Sequence, residues 1–338
     1  MGGQTDRSAL AERPAVHAIP KSMHAAAIDH PGGPEVLSIH VLPVPEVDAS
    51  EVLIAVHTAG VGVWDADIRE GWSPGGHRPH YPFVLGSDGA GTIAAVGSRV
   101  RRFKPGDRVY AYGWDNPKGG FYAEYAAVAA EGVAHLPEPL DLKDAGATPV
   151  SGLTALQGID DALHVKKGQA VIIHGASGGV GSLALQFAKL RGARVLATAS
   201  GEDGLALIRG LGADMAVDGR HGDIAAAVRS FAPDGIDAVL ALADGEALER
   251  CVEAIRDGGT VAYPNGVEPE PKKRRGVKVI PYDATSGVRQ FDHLNQALNV
   301  ARPKIKIAAE YPMADASKAH QRLAAGHVLG KIVLRIRR

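Results

Sequence analysis

From Met23 to about Leu140, apolar and polar positions alternate in short runs: Glu51-Val52-Leu53-Ile54-Ala55-Val56, Gly91-Thr92-Ile93-Ala94-Ala95-Val96 and Arg108-Val109-Tyr110-Ala111-Tyr112. Period-two alternation predicts strands, and the turn residues between them, such as Lys104-Pro105-Gly106-Asp107, predict a β-rich, barrel-like region. After Ala145 the rhythm changes. Apolar strand runs at Ala170 to His174, Arg194 to Thr198, Met215 to Asp218, Ile236 to Ala243, Thr260 to Pro264 and Val277 to Pro281 are separated by helical patterns. This alternation predicts an α/β region with a doubly wound parallel sheet. From about Gln290 the pattern predicts a helix, a strand near Ile305 to Ala309, a helix near Ala314 to Ala325 and a closing strand at Lys331 to Leu334.

The junction of the first apolar strand with the helix that follows carries the most chemistry. His174-Gly175-Ala176-Ser177-Gly178-Gly179-Val180-Gly181-Ser182 lies between Ala170-Val171-Ile172-Ile173 and the helix-like stretch Leu183 to Leu190. Small residues at Ala176, Gly178 and Gly181 permit a tight turn, close approach of backbone to a pyrophosphate and close helix–strand packing. A helix N-terminus adds free N–H groups and positive partial charge for the phosphates. With the next strand, this completes a βαβ unit of the dinucleotide-binding kind.

Composition narrows the partners. The chain has 338 residues, with 37 Lys and Arg against 38 Asp and Glu, so two domains are expected and no global charge draws it to nucleic acid or to an acidic membrane. No segment is long and apolar enough to span a bilayer. Residues 1–21 are polar and of mixed charge without an apolar stretch, which predicts a disordered leader and not a signal peptide. The one cysteine, Cys251, rules out an intrachain disulfide and a multi-cysteine zinc site; it falls at a core position of a helical pattern and suits a reducing cytoplasm.

Several motifs resemble those of the medium-chain dehydrogenase/reductase superfamily. They are Gly32-Gly33-Pro34-Glu35-Val36-Leu37, Gly60-Val61 to Asp65, Leu85-Gly86-Ser87-Asp88-Gly89-Ala90-Gly91, Pro105-Gly106-Asp107-Arg108-Val109, Gly120-Phe121-Tyr122-Ala123-Glu124-Tyr125, Ser151-Gly152-Leu153-Thr154-Ala155 and Gly330-Lys331-Ile332-Val333-Leu334. The resemblance implies a GroES-like catalytic domain at 22–150, a Rossmann domain at 151–285, and a segment at 286–338 that returns to the catalytic domain. Where zinc-dependent members carry a Cys and a His-Glu pair, this chain has Gly62 and Ser87-Asp88, and the structural-zinc cysteines are absent. No zinc site is therefore expected. His77 and His80 have ligand-like spacing but equally suit a surface loop. The resemblance narrows to the zinc-independent quinone oxidoreductases, the group that includes zeta-crystallin.

NADPH is the expected cofactor, and the missing zinc ligands favour an activated acceptor such as a quinone or an α,β-unsaturated carbonyl. The second strand ends Ala197-Thr198-Ala199-Ser200-Gly201 without the carboxylate that holds a ribose 2′-OH in NAD enzymes, so Ser200 and Arg220 are candidates for a 2′-phosphate. Arg220 equally suits a solvated surface, and Glu202 and Asp203 argue for NADH unless they point outward. Ser177, Gly178, Gly179 and Val180 are expected at the pyrophosphate, and Thr154, Ala243, Tyr263, Pro264 and Asn265 near the nicotinamide, although loop packing suits each of these last five as well. Acceptor-side candidates are Trp64, Asp65 and Tyr81, with Tyr122 as a candidate proton donor; strand-core and turn-capping roles suit Tyr122 and Asp65 as well.

Enoyl-thioester reduction and zinc-free alcohol oxidation are the alternative reactions. A nucleotide-binding crystallin that meets RNA through the basic loop Lys272-Lys273-Arg274-Arg275 is the non-enzymatic alternative, although this run also reads as a solvated loop. The apolar sixth strand predicts an exposed sheet edge and hence a homodimer.

Overall fold

The computed structural model describes residues 18–73, 80–113 and 115–337. Two β systems organise it. In the first, Ser22–Ile28 pairs with Ser38–Pro43 and Phe83–Val84 in a small antiparallel sheet. A second sheet of seven strands runs Ile307–Pro312, Lys331–Arg335, Glu51–Val61, Asp88–Val96, Arg108–Tyr112 and Val133–His135, with Tyr125–Ala129 also on Glu51–Val61. The closing strand enters this sheet antiparallel, with Ile332 opposite Val61 and Leu334 opposite Ala59. Residues from the far end of the chain thus share a core with Val52, Ile54, Phe121 and Tyr122.

The second system is a six-stranded parallel sheet. Its spatial order is Met215–Asp218, Arg194–Ala199, Ala170–His174, Ile236–Ala241, Ile255–Pro264 and Lys278–Tyr282. In sequence terms this is 3-2-1-4-5-6, the doubly wound arrangement in which ligands enter where the order reverses. Both faces are covered, which explains the continuous apolar runs. Ile173, Val195 and Leu240 pack on one face with Leu183, Phe187 and Leu294. Ile172, Leu196 and Val239 pack on the other with Val228, Leu248 and the buried Cys251.

The fourth strand ends at Ala241, two residues before the expected Ala243, and the fifth begins at Ile255, earlier than Thr260. The sixth strand does lie at the edge. Of the predicted leader, 1–17 lie outside the described residues, and 18–21 are exposed and without regular structure, apart from a bend at Lys21. Among the described residues, no helix is long and apolar enough to cross a membrane.

Candidate active site

A cleft of about 330 Å³ opens at the C-terminal ends of the first and fourth parallel strands. Gly178 to Gly181, Thr154 and Leu242 form one wall, and Gly62, Trp64, Asp65, Ser87 and Asp88 the other. A concave site at the switch point of a doubly wound sheet is where a cofactor and its substrate can meet.

The first wall is built from backbone. Gly175 follows the strand at φ +79°, a left-handed conformation that favours glycine. Gly178 then caps the helix Gly179–Leu190 in extended conformation and offers no side-chain cap, so the first N–H groups of the helix stay available to an anion. A β-carbon on Gly181 would collide with the Gly175 carbonyl oxygen and lie 2.7 Å from Ala176 Cα. Helix and strand approach this closely only with glycine there. Gly178, Gly179 and Val180 line the cleft. Ser177 belongs to the same loop but is not among the lining residues; its carbonyl accepts the Gly330 N–H at 2.9 Å, tying the loop to the start of the closing strand.

At the end of the second strand, Ser200 is the N-cap of Gly201–Gly210 and its side chain makes no capping bond. The Gly219 N–H donates to Ala199 O at 2.8 Å, placing the turn that holds exposed Arg220 beside this strand end. Asp218 was not anticipated here. Its carboxylate accepts the N–H groups of Arg220 (2.7 Å), His221 (2.9 Å) and Gly201 (3.1 Å). These bonds, the one from His221 foremost, hold its pKa below the ordinary carboxylate range. The position of Asp218, opposite Ala199 in the ladder, is visible only once strands are paired. Asp203 bonds to His327 Nε2 at 3.0 Å and to the Gly204 N–H at 2.8 Å, so this carboxylate is engaged within the protein, while Glu202 is exposed.

Near the expected nicotinamide end, Thr154, Pro264 and Asn265 line the cleft, and Asn265 Nδ2 donates to Asp283 Oδ2 at 2.6 Å. Two expected residues do not line it. Tyr263 is 3% exposed and packs with Cys251 and Leu248 on the opposite face of the sheet, because strand alternation turns it away from Pro264's surroundings. Ala243 yields its place to Leu242, since the strand ends sooner than the apolar run.

The second wall is built from side chains. Gly62 caps the short helix Val63–Arg69, and Asp65, three residues on, reaches back so that Oδ2 accepts the Gly62 N–H at 2.8 Å. Asp65 Oδ1 accepts both the N–H (2.9 Å) and the hydroxyl (2.7 Å) of Ser87. Tyr122 OH lies 3.2 Å from Asp65 Oδ2 and 3.1 Å from His320 Nε2, and His320 Nδ1 lies 2.9 Å from Arg69 NH1. Arginine can only donate, so Nδ1 accepts and the histidine proton sits on Nε2. The chain therefore runs in one direction, from Arg69 through His320 and Tyr122 to Asp65. Arg69 also donates to Gly32 O at 2.9 Å and pairs with Glu70. Burial holds the His320 pKa down at about 4, and burial together with the charge of Asp65 pushes the Tyr122 phenol well above its ordinary value.

These contacts revise the expected roles on this side. Tyr122 is fully buried behind Asp65, outside the cleft lining, and its hydroxyl is committed to Asp65, so a direct proton donation to substrate does not fit its position. Tyr81 is 41% exposed and also outside the lining. Trp64 lines the cleft, stacked edge-on against Trp72 at 5.6 Å, with Nε1 3.7 Å from where a β-carbon on Gly266 would stand. Asp88 Oδ2 accepts the Val150 N–H at 3.0 Å while Oδ1 is buried without a hydrogen bond. Burial pushes the Asp88 pKa up to about 6 against the opposing charge of Lys331.

Among the described residues, no three His, Cys, Asp or Glu side chains gather to hold a metal; His77 lies outside them and His80 is exposed. In the basic loop, Arg274 donates to the carbonyls of Ile255 and Val252 and pairs with Asp257 at 3.7 Å, while Lys272, Lys273 and Arg275 are exposed.

Comparison with known proteins agrees with this geometry. Residues 48–138 match the Alcohol dehydrogenase GroES-like domain, and residues 179–278 match the family described as Zinc-binding dehydrogenase. The quinone oxidoreductase of Mus musculus is 32% identical over 331 residues, covering 93% of this chain and 98% of the relative. The NADPH-dependent alkenal/one oxidoreductase of Arabidopsis thaliana is 31% identical, covering 94% and 80%. A mycobacterial protein solved in complex with NADPH superposes with a TM-score of 0.80 at 29% identity, covering 93% of this chain and all of that one. A GroES-like β region joined to a doubly wound nucleotide-type sheet, with relatives aligned over nearly the whole length, means that the chain belongs to the medium-chain dehydrogenase/reductase superfamily, in its quinone oxidoreductase branch.

Proposed function

We propose that the protein is an NADPH-dependent oxidoreductase that reduces a quinone or an α,β-unsaturated carbonyl without zinc. One observation carries the reading: the uncapped helix start at Gly178–Gly179 opens into the same cleft as Trp64, Ser87 and Lys331. A dinucleotide fits the donor set. Gly178, Gly179 and Val180 would hold the pyrophosphate through backbone N–H groups, Ser200 and Arg220 the 2′-phosphate, and Thr154, Pro264 and Asn265 the nicotinamide end. When bound, NADPH supplies the hydride. The protein's part is then to orient the acceptor, and Trp64, Leu242 and Val267 give the cleft apolar surface that keeps water from it.

The preference for NADPH rests on the strand end. Among the described residues, Asp218 is the carboxylate that faces it through the ladder, and its hydrogen bonds to three backbone N–H groups leave it serving the turn and not a ribose hydroxyl. Zinc independence is supported by the donor set: both oxygens of Asp65 are occupied by Gly62, Ser87 and Tyr122, and Gly62 has no side chain to offer. Activated acceptors need no metal to accept hydride, whereas simple alcohol chemistry gains more from a Lewis acid. Residues 22–150 and 286–338 are read as one domain and 151–285 as the nucleotide domain inserted in it. The sixth strand at the sheet edge supports a homodimer.

The test is NADPH and NADH oxidation with a quinone, an enone, an enoyl thioester and a simple aldehyde, each with and without a chelator. Expected are turnover with the quinone or the enone, preference for NADPH, and no effect of chelation. Selective turnover of the enoyl thioester would replace the acceptor class, and activity lost on chelation and restored by zinc would overturn the metal-free reading.

A further inference from the structure

Lys331 opens the closing strand and lies in the cleft with only 8% of its surface exposed. A buried cation usually has a carboxylate in contact, because desolvating an unpaired charge costs several kcal/mol. Here, among the described residues, its side chain makes neither an ion pair nor a hydrogen bond. Its stem passes the glycine loop, with Cδ 3.4 Å from where a β-carbon on Gly179 would stand. Its Nζ stands 3.3 Å from the corresponding point on Gly62, on the acceptor wall. Two residues without side chains leave the lysine room to cross the cleft.

Neither carboxylate of that wall pairs with the ammonium, although Asp88 Oδ1 is without a hydrogen bond. Asp65 is saturated by Gly62, Ser87 and Tyr122, and Asp88 turns Oδ2 to the Val150 N–H. They offset the charge of Lys331 at a distance without occupying its three N–H donors, and the influence of Lys331 on Asp88 is the trace of that field. The result is a cationic donor set inside the cleft, with N–H groups that no partner among the described residues occupies.

We propose that the Lys331 ammonium is the oxyanion-stabilising group of the acceptor pocket, donating to the carbonyl oxygen of the acceptor and facing the negative charge that develops there. The assignment rests on the reductase reading above. Hydride delivered to the β-carbon of an enone forms a C–H bond; the C=C π pair becomes the new Cα=C bond, and the carbonyl π pair moves to oxygen, giving an enolate. A proton from solvent at Cα completes the saturated ketone. A preorganised cation beside that oxygen acts more strongly as the charge grows, which is the requirement for accelerating the step.

The experiment compares wild type with Lys331→Met and Lys331→Arg in three measurements. The first is a spectroscopic titration of bound p-nitrophenol, whose ionised form reports a cation beside a phenolate oxygen. The wild-type protein should ionise the probe about one pH unit below its free value, Lys331→Arg should keep most of the shift, and Lys331→Met should lose it. The second is turnover of an enone, expected to fall about 50-fold in Lys331→Met with partial recovery in Lys331→Arg. The third is NADPH affinity by fluorescence titration, expected within about twofold in all three, since the ammonium is assigned to the acceptor.

A probe that does not bind wild type, or one whose ionisation is the same in Lys331→Met, overturns the proposal. So does a tenfold loss of NADPH affinity with unchanged turnover, which would assign the ammonium to the cofactor phosphates. If wild type reduces no acceptor, the reductase reading falls by itself, while the probe titration still decides whether Lys331 holds an oxyanion.

Discussion

The two walls of the cleft are made in opposite ways. The glycine turn of the cofactor wall comes from one stretch of nine consecutive residues, His174 to Ser182, whose contribution is backbone N–H groups and the room left by absent β-carbons. On the acceptor wall, Tyr122 meets a partner 57 residues away, and His320 meets partners 198 and 251 residues away. A wall made of backbone tolerates any change that does not fill its space. A wall made of a saturated side-chain network fails when one member goes, because each loss leaves buried donors unpaired.

The comparison is broken most severely at Asp65. Asp65→Ala strands the N–H groups of Gly62 and Ser87 and the hydroxyl of Tyr122, and should cost about 4 kcal/mol of stability, the order seen when one partner of a buried charged network is removed. NADPH affinity of the folded fraction should stay within about threefold, because no Asp65 contact belongs to the glycine loop. Denaturant unfolding and cofactor titration check the two halves of this outcome. A native-like melt would mean that the network contributes little.

Gly179→Val is the mirror case. A β-carbon there meets Ser151 Oγ at 3.3 Å, Lys331 Cδ at 3.4 Å and Gly330 O at 3.5 Å, tight contacts that small shifts can relieve, while the added methyls occupy the cleft. NADPH affinity should fall at least about 100-fold, or about 2.7 kcal/mol, with a melt close to wild type. Calorimetric titration beside a thermal scan tests it; unchanged affinity would reduce the glycine run to a turn.

Acid sensitivity sharpens the contrast further. His320 behind the acceptor wall and His174 beneath the glycine loop are both held neutral in the fold to about pH 4 by burial, so on unfolding each takes up a proton at pH values below about 6.5. Asp88 opposes them: protonated in the fold below about pH 6, it releases a proton on unfolding. Among these three groups, two uptakes against one release leave about one proton taken up on unfolding near pH 5. Through these three groups stability should therefore fall on acidification between about pH 6 and 4, by roughly 1 kcal/mol per pH unit. Urea midpoints across that range measure the slope, and His320→Asn should flatten it while wild-type slope in that variant would remove His320 from the account.

The smallest effect is expected at the strand end. Arg220 is exposed, so Arg220→Ala should shift the ratio of NADPH to NADH affinity toward NADH by only about fivefold, or about 1 kcal/mol. Titration with both cofactors reads the ratio, and an unchanged ratio would separate Arg220 from the 2′-phosphate.

Legibility in the sequence follows the same division. The parallel strands Ala170–His174 and Met215–Asp218 emerge with the ends that apolar periodicity predicts, since a strand covered on both faces must be apolar throughout. Tyr263 and Ala243 stand outside the cleft lining because a strand-end position does not specify which face a side chain takes or where the last ladder bond falls. Tyr122 was visible as a residue of interest but not as a buried link to Asp65.

By itself, then, the sequence determined what local physics controls: two β systems of different rhythm, and a glycine turn at a strand–helix junction whose backbone is suited to phosphate. Arg69, His320 and Lys331 carry no local signal for their places, because hydrogen bonds and buried charges are set by which distant segments meet in space. Only the antiparallel docking of Lys331–Arg335 on Glu51–Val61 brought Lys331 to Gly62, and only the packing of Ala316–Ala324 placed His320 between Arg69 and Tyr122. Backbone geometry is encoded residue by residue, whereas the polarity of a buried site is decided by the tertiary contacts that exclude water from it.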